Sequence, residues 1–183
     1  MMRSLRSERG FSLLEMMISI SISAMLFYTM YAVMRAGDQQ VNTAQVQMEL
    51  QDSAREGLYR MLQEIRQTAP DRITINGAGT GIQFDVPASG NAFDASFNIN
   101  WNGANTVQYS LGGLNGTQLL RTVVGSGQST VLANNVTAIN FTGNAADPTL
   151  VTITVSAQRT LLNGRQLPAN PLQMSAQAEI RNT

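Results

Sequence analysis

A long run of apolar residues follows a short polar leader at the start of the chain. Of the 24 residues from Phe11 to Met34, 18 are apolar, and none is Pro or Gly. At about 1.5 Å per residue, a helix of this length reaches ~36 Å, which exceeds the ~30 Å hydrocarbon core of a bilayer. The pattern therefore predicts a membrane-spanning helix over residues 11–34.

Apolar positions then recur with helical spacing as far as Pro70. Residues 35–70 also carry nine charged groups, which fill the other positions of the pattern. The apolar stripe consists of Leu50, Ala54, Leu58, Met61, Leu62 and Ile65, with Val41, Ala44 and Met48 upstream. Because Pro ends a helix, the spacing predicts one helix from Phe11 to Ala69 whose second half is amphipathic and lies on a sheet.

Residues 71–183 have the short β-branched and aromatic runs that are typical of strands. Asn-Gly pairs, which favour hairpin turns, begin at positions 76, 102, 115 and 163. Several short strands after one long helix predict an α+β fold with a mainly antiparallel sheet packed on the helix. The predicted strands are Ile73–Ile75, Ile82–Val86, Phe97–Trp101, Val107–Leu111, Gln118–Val124, Val136–Thr142, Leu150–Ser156 and Leu172–Ile180.

Composition narrows the chemistry that this fold can carry. The chain has 12 basic residues, all Arg, 12 acidic residues, and no His, Cys or Lys. Without Cys there is no disulfide or thiolate, and without His the usual catalytic base and commonest metal ligand are missing. A neutral total also disfavours a dedicated nucleic-acid-binding protein. We therefore expect neither an enzyme nor a nucleic-acid-binding protein.

The carboxylates beyond Pro70 are the remaining candidates for site chemistry. Scattered acids among turn residues are usually solvated, so we expect no catalytic group, metal site or cofactor. Asp85 and Asp94 bracket a loop that also contains Asn91, and oxygen ligands of this kind leave structural calcium open as an alternative. The full set of acids is Asp71, Asp85, Asp94, Asp147 and Glu179.

The leader and the single charge in the apolar run point to a membrane role. Residues 1–10 contain three Arg and one Glu, and a basic flank favours a cytoplasmic N-terminus. A secretory signal peptide cut near Ser23 and a plain single-pass anchor are the alternatives. Glu15 argues against both, because a carboxylate in an apolar span is costly and by default functional.

Glu15 also shares a helical stripe with small polar residues. Ser12, Glu15, Ser19 and Ser23 are spaced at i, i+3, i+7 and i+11, which places them on one face. Small hydroxyl residues mark helix–helix interfaces in membranes. We expect this face to pack against copies of the chain or related chains. The alternative is that the serines bond to their own helix backbone.

The segment Arg9–Glu15, which reads RGFSLLE, resembles the class III leader junction of type IV prepilins and type II secretion pseudopilins. The resemblance implies a type IV pilin-like fold. It also implies that prepilin peptidase, a membrane aspartyl peptidase, removes residues 1–10 by cutting after Gly10 and methylates the new N-terminus at Phe11. Glu15 would then pair with the amine of a neighbouring subunit and set the axial register of a filament.

Partners and location follow from the same resemblance. The chain would lie in a bacterial inner membrane with its N-terminus in the cytoplasm and its head domain, residues 71–183, in the periplasm. It would then join other pilin or pseudopilin subunits through the N-terminal helix, on the inner-membrane assembly platform, to form a pilus or pseudopilus.

Two departures from major pilins favour a minor pilin or pseudopilin. Ala32 stands where many major pilins have Pro, and the C-terminal Cys pair is missing. The layout of Tyr109, Gln118–Arg121, Val136–Phe141 and Glu179–Asn182 resembles J-type pseudopilins and W-type minor pilins, which act near the filament tip. A major pilin, and a membrane-anchored binding domain outside any filament, stay open as alternatives.

Overall fold

A computed structural model of the chain describes residues 10–88, 92–144, 147–161 and 164–181. Contacts divide the chain into two units, Met1–Asn42 and Thr43–Thr183. Helix α1, Leu13–Ile65, begins in the first unit and ends in the second. The strands all belong to the second unit.

Helix α1 ends at Ile65, before the predicted end at Ala69. The amides of Gln67 and Thr68 donate hydrogen bonds of 3.0 and 3.3 Å to carbonyls three residues back, which tightens the chain beyond the last α-helical turn. A 3₁₀ helix, Pro70–Arg72, follows, and Ala69 is extended, as the residue before a proline prefers. The effect of the proline on the chain therefore begins upstream of it.

One face of the second half of α1 is buried. The upstream positions Val41 and Met48 of the predicted stripe are exposed, so burial begins at Leu50. Gly57 gives this face its closest approach, because a Cβ there would lie 3.1 Å from Leu119 Cδ2 and 3.3 Å from Ala133 Cβ. The buried positions are Leu50, Ala54, Gly57, Leu58, Met61 and Ile65.

The described residues form eight strands after the helix, and all of their pairings are antiparallel. The expected antiparallel arrangement is confirmed, but the strands form two sheets instead of one. The first sheet has the order β1-β2-β3-β4-β5 and the second β6-β7-β8. The strands are β1 Ile73–Ile75, β2 Gly81–Val86, β3 Asn105–Gly112, β4 Gln118–Val123, β5 Gln128–Asn134, β6 Val136–Asn144, β7 Asp147–Thr160 and β8 Gln166–Glu179.

The predicted strand Phe97–Trp101 is wrong. Residues 93 and 99 form only an isolated bridge, and Phe97 has a φ of 61° that no strand residue adopts. The cause is local, since the Asp94 carboxylate accepts hydrogen bonds from the amides of Ser96 and Asn98 at 2.8 and 2.9 Å. These bonds hold a turn where the apolar pattern favoured a strand.

Strand β5 was not predicted, because Gln128–Asn134 begins with polar residues and is exposed over its first half. The Asn115-Gly116 turn signal is confirmed. It joins β3 to β4 with φ values of 55° and 69°, the left-handed conformation that Asn and Gly tolerate best.

A single hydrophobic cluster joins the second half of α1 to both sheets. The first sheet contributes Ile82, Phe84, Val107, Tyr109 and Leu119, and the second contributes Val136, Ile139, Phe141, Val151, Ile153 and Val155. Helix and sheets therefore share one core instead of forming separate layers. This arrangement confirms the α+β layout of a type IV pilin-like fold.

Candidate functional site

The candidate site lies where helix α1 begins. Gly10 and Phe11 precede the helix and are exposed, with Phe11 81% exposed. A Cβ placed on Gly10 would have no atom within 4 Å. The predicted leader lies outside the described residues except for Gly10. The Gly10–Phe11 peptide is therefore accessible and is not part of the helix.

Ser12 and Glu15 form a reciprocal cap on the first turn. The Glu15 amide donates to Ser12 Oγ at 3.2 Å, and the Ser12 amide donates to Glu15 Oε2 at 3.0 Å. This is a capping box, in which two amides that lack partners inside the helix are both satisfied. The carboxylate also lies at the positive end of the helix dipole, where an anion is stabilised.

The structure brings the predicted stripe together on one exposed face. Ser12 caps the helix, Glu15, Ser19 and Ser23 lie within it, and all four are exposed. Ser21, on another face, donates its hydroxyl to the Met17 carbonyl at 2.8 Å, so backbone bonding accounts for that serine. Within the described chain, Ser19 and Ser23 have no such bond. Their hydroxyls are therefore available to a neighbouring helix.

The apolar side chains around this stripe are also exposed. Fifteen of the large ones from Leu13 to Met34 are half exposed or more, a contiguous apolar surface that soluble proteins rarely leave in water. By length and composition, α1 contains one segment apolar enough to cross a membrane. The helix therefore needs lipid or other helices around its first half.

The acids of the head domain do not converge on a site. The Asp85 carboxylate accepts a hydrogen bond from Thr106 Oγ1 at 2.7 Å and lies 3.4 Å from the Arg72 guanidinium. The Asp94 carboxylate instead accepts hydrogen bonds from backbone amides of its own turn. Asp71 and Asp85 line one shallow polar depression of about 520 Å³, whose lining does not include Asp94. Among the described residues, no three acids are grouped closely enough to hold a metal ion.

The other two acids of the sequence set are also separate. The hydroxyl and amide of Thr149 donate to Asp147, which holds the pKa of that carboxyl below its usual range. Glu179 is exposed at the end of β8. Nothing in the arrangement of these groups supplies a paired acid and base for catalysis.

One polar cluster at the edge of the core, between the helix and the first sheet, was missed by sequence reasoning. Glu64 of α1 accepts hydrogen bonds from the Tyr109 hydroxyl at 2.8 Å and from Arg121 Nε at 2.9 Å. Burial, and after it the charge of Glu64, raises the pKa of Tyr109. Partial burial by itself would lower the pKa of Arg121, but the hydrogen bond and the charge of Glu64 outweigh it, so that the pKa of Arg121 is raised. The cluster fastens the helix to β3 and β4. Its one sequence signal is an acid placed beside the apolar stripe of a helix.

The geometry defines a class of protein in which an apolar helix starts with an exposed Gly-Phe junction and continues into a β-rich head. Residues 5–27 match the family model of the prokaryotic N-terminal methylation motif. Comparison with curated proteins and with solved structures finds no match.

The matched motif supports the type IV pilin and pseudopilin superfamily, in agreement with the fold. Such a leader implies processing by prepilin peptidase, anchoring in a membrane and assembly with other pilin subunits. The superfamily is structural rather than catalytic.

Proposed function

We propose that the chain is a minor structural subunit of a type IV pilus or a type II secretion pseudopilus. The observation that carries this proposal is the methylation motif over residues 5–27, placed directly at the start of an exposed apolar helix. Ala32 and the lack of Cys favour a minor subunit over a major one. The J-type and W-type layouts favour a position near the filament tip.

The proposed processing site is the Gly10–Phe11 peptide. Backbone groups outside a helix are free to hydrogen-bond to an enzyme, whereas those inside it are already paired. The helix begins at Leu13, so the capping box keeps this peptide outside it. Gly10 adds a position where a peptidase approaches the backbone without a side chain in the way.

The proposed assembly site is Glu15. Cleavage would leave an ammonium on Phe11, and in a membrane an unpaired ammonium and an unpaired carboxylate are both costly. One carboxylate accepts several hydrogen bonds, so Glu15 can keep its bond from the Ser12 amide and also accept the amine of a neighbouring subunit. Wrong axial offsets would leave both charges unpaired, which makes the pair a register device. Ser12, Ser19 and Ser23 would pack against the same neighbour.

The processing proposal is tested by the intact mass of the chain from membranes with and without prepilin peptidase. We expect loss of residues 1–10 and gain of one methyl group only when the peptidase is present. A chain that keeps Met1, or that is cut near Ser23, contradicts the proposal. The same membranes test topology, because a protease added outside the inner membrane should digest the head domain and leave the N-terminus intact.

Two substitutions separate the charge of Glu15 from its capping role. Glu15→Gln keeps an acceptor for the Ser12 amide, because Gln also completes a capping box, whereas Glu15→Val removes both functions. We expect both variants to be cleaved and to be lost from sheared filaments. If Glu15→Gln enters filaments at the level of the unsubstituted chain, the charge pair is not the register device.

A membrane-anchored binding domain outside any filament is the second candidate. Phe97 is 87% exposed with a φ of 61°, and Phe93 is also exposed on the same loop. Strained, exposed aromatic residues are more typical of binding loops than of a core. Locating the subunit by immunogold labelling decides between the candidates: label on sheared filaments supports the first, and label confined to membranes supports the second.

A further inference from the structure

The first half of α1 carries a polar and aromatic face that lies apart from the assembly stripe, the face formed by Ser12, Glu15, Ser19 and Ser23. Tyr28, Tyr31 and Arg35 lie at i, i+3 and i+7, and the two tyrosines are 73% and 62% exposed. With Ala32, Ala36 and Gln39 they line a shallow depression of about 310 Å³. Within the described chain, Arg35 forms no ion pair, not even with nearby Asp38.

This face has the chemistry of a membrane interface. Tyr is enriched where a membrane meets water, because its ring is apolar and its hydroxyl is polar. Arg places its stem along apolar surface and its guanidinium among headgroups, where planar donors match phosphate oxygens. Arg35 is the first charged residue after Glu15, so the face lies where the apolar run ends.

We propose that Tyr28, Tyr31 and Arg35 bind the phospholipid headgroup region and set the depth of α1 in the membrane before assembly. The occupant follows from charge and continuity: Arg35, which has no ion pair among the described residues, lies at the end of a segment that is apolar enough to span a membrane, and the phosphates at a membrane surface are anionic. The inference rests on the membrane-inserted precursor of the proposed function.

Tyr28, Tyr31 and Arg35 together form an interfacial anchor, and the spacing along the helix explains what this anchor achieves. From Leu13 to Tyr31 the helix rises about 27 Å, close to the ~30 Å thickness of a hydrocarbon core. With Tyr31 held at the outer interface, the start of the helix reaches the inner interface. The Gly10–Phe11 peptide then lies at the water boundary, and Glu15 lies one turn or less inside the core. The anchor therefore positions the processing site for an enzyme that acts at the cytoplasmic face.

The anchor and the assembly stripe point in different directions. At about 100° per residue, Tyr28, Tyr31 and Arg35 are centred about 150° around the helix from Ser12, Glu15, Ser19 and Ser23. The small residues suit a neighbouring helix, whereas two tyrosines and an arginine suit lipid. A subunit can thus keep its headgroup contacts while its other face meets a partner.

Cysteine accessibility measures the depth, since the chain has no Cys of its own. Single Cys residues are placed in turn from residue 24 to residue 40 of the full chain, in spheroplasts of cells without a pilus assembly system. A membrane-impermeant maleimide is then added. We expect labelling to rise sharply between Tyr28 and Arg35, and in the triple variant Tyr28→Leu, Tyr31→Leu, Arg35→Gln to shift by about one helical turn towards Asp38.

The matched control is Tyr59→Leu with Arg55→Gln, which changes the same residue types at exposed helix positions in the second unit, Thr43–Thr183. It should leave the labelling step in place. A step that lies before Tyr28 or beyond Arg35 in the chain without the triple substitution, or a step that does not move in the triple variant, overturns the proposal. A Cys at Ser126, in an exposed turn, should label in every variant. If it does not, the proposed topology fails instead.

Contact with the headgroup is measured directly in vesicles of phosphatidylethanolamine and phosphatidylglycerol. Solid-state NMR should detect transfer between lipid phosphorus and the Arg35 guanidinium carbon of the full chain, and Arg35→Gln should remove that signal. No transfer in the unsubstituted chain, or a photo-crosslink from position 31 to a second subunit instead of lipid, overturns the lipid assignment.

Discussion

The Tyr109 hydroxyl donates a hydrogen bond of 2.8 Å to the Glu64 carboxylate, which lies 45 residues earlier in the chain. Tyr109 is fully buried, and its ring stacks on that of Phe84 with 5.7 Å between centroids. Arg121 holds the same carboxylate from the neighbouring strand. One acid of the helix thus helps to fix how the helix lies on the first sheet, because a placement without this contact leaves the buried Tyr109 hydroxyl without its partner.

Tyr109→Phe should destabilise the head. The ring packing is retained, and the loss is one hydrogen bond to a charged acceptor, so the free energy of unfolding should fall by about 1.5 kcal/mol. Urea unfolding of the full chain in detergent, followed by the fluorescence of its one Trp, measures the change. The control is Tyr59→Phe, which removes an exposed hydroxyl from the same helix and should have almost no effect. Equal effects of the two substitutions would contradict a role for the Glu64 contact.

Stability should fall at alkaline pH because of Tyr109. Its pKa in the folded state is raised above the ordinary value of 10, first by burial and then by Glu64. The folded chain therefore binds this proton more tightly than the unfolded chain. The contribution is complete below the unfolded pKa and is lost as the pH rises above it, by at most about 1.4 kcal/mol per pH unit.

The comparison that tests this pH dependence is unfolding at about pH 8 and about pH 11, on either side of the unfolded value. The unsubstituted chain should lose more stability between the two conditions than Tyr109→Phe does. Parallel losses in both proteins would assign the alkaline sensitivity to other groups.

Gly57→Leu should destabilise the packing of the helix on the first sheet. Even a Cβ at this position lies 3.1 Å from Leu119 Cδ2, so a full side chain must displace both Leu119 and Ala133. Overpacking of this kind costs about 1–3 kcal/mol. The effect is measured by the same urea titration, with Tyr59→Leu as the matched exposed substitution. A stability equal to that of the control would mean that the helix and sheet do not approach as closely as described.

Phe97→Asn should stabilise the loop after β2. Phe97 holds a φ of 61° while 87% exposed, so its ring contributes little burial to offset a left-handed backbone. Asn tolerates this conformation, and the gain should be about 0.5–1 kcal/mol. Phe93→Asn, on the same loop, is the control and should not stabilise, because residue 93 has no positive φ. A loss of stability in Phe97→Asn would show that the ring has contacts worth more than the strain.

Local signals account for what could be predicted from the sequence. The apolar span, the helical stripe that contains Ser12 and Glu15, and the hairpin turn at Asn115-Gly116 all depend on residues within a few positions of one another. The buried face of the helix from Leu50 onwards was predictable for the same reason, because helical periodicity is a local property. The end of the helix at Ile65 was harder to predict, since the extended residue before Pro70 and a short 3₁₀ turn shift the boundary.

Side-chain hydrogen bonds to the backbone and pairing between distant strands account for what could not be predicted. The strand predicted at Phe97–Trp101 failed because the Asp94 carboxylate bonds the local backbone into a turn, and hydrogen bonding overrode the apolar pattern. Strand β5 was missed because its partner β4, rather than its own composition, makes it a strand. The division of the strands into two sheets was also missed, because it depends on which strands pair and not on the composition of any one strand.

By itself, the sequence determined that this protein has an apolar N-terminal helix with one acid near its start, a processing motif before it and a β-rich head after it. These are properties of neighbouring residues. Only the tertiary structure decided that Glu64, Tyr109 and Arg121 meet, that Gly57 sits against Leu119, and that the strands form two sheets around one core. Such contacts join residues far apart in the chain, and which ones form depends on how the whole core packs.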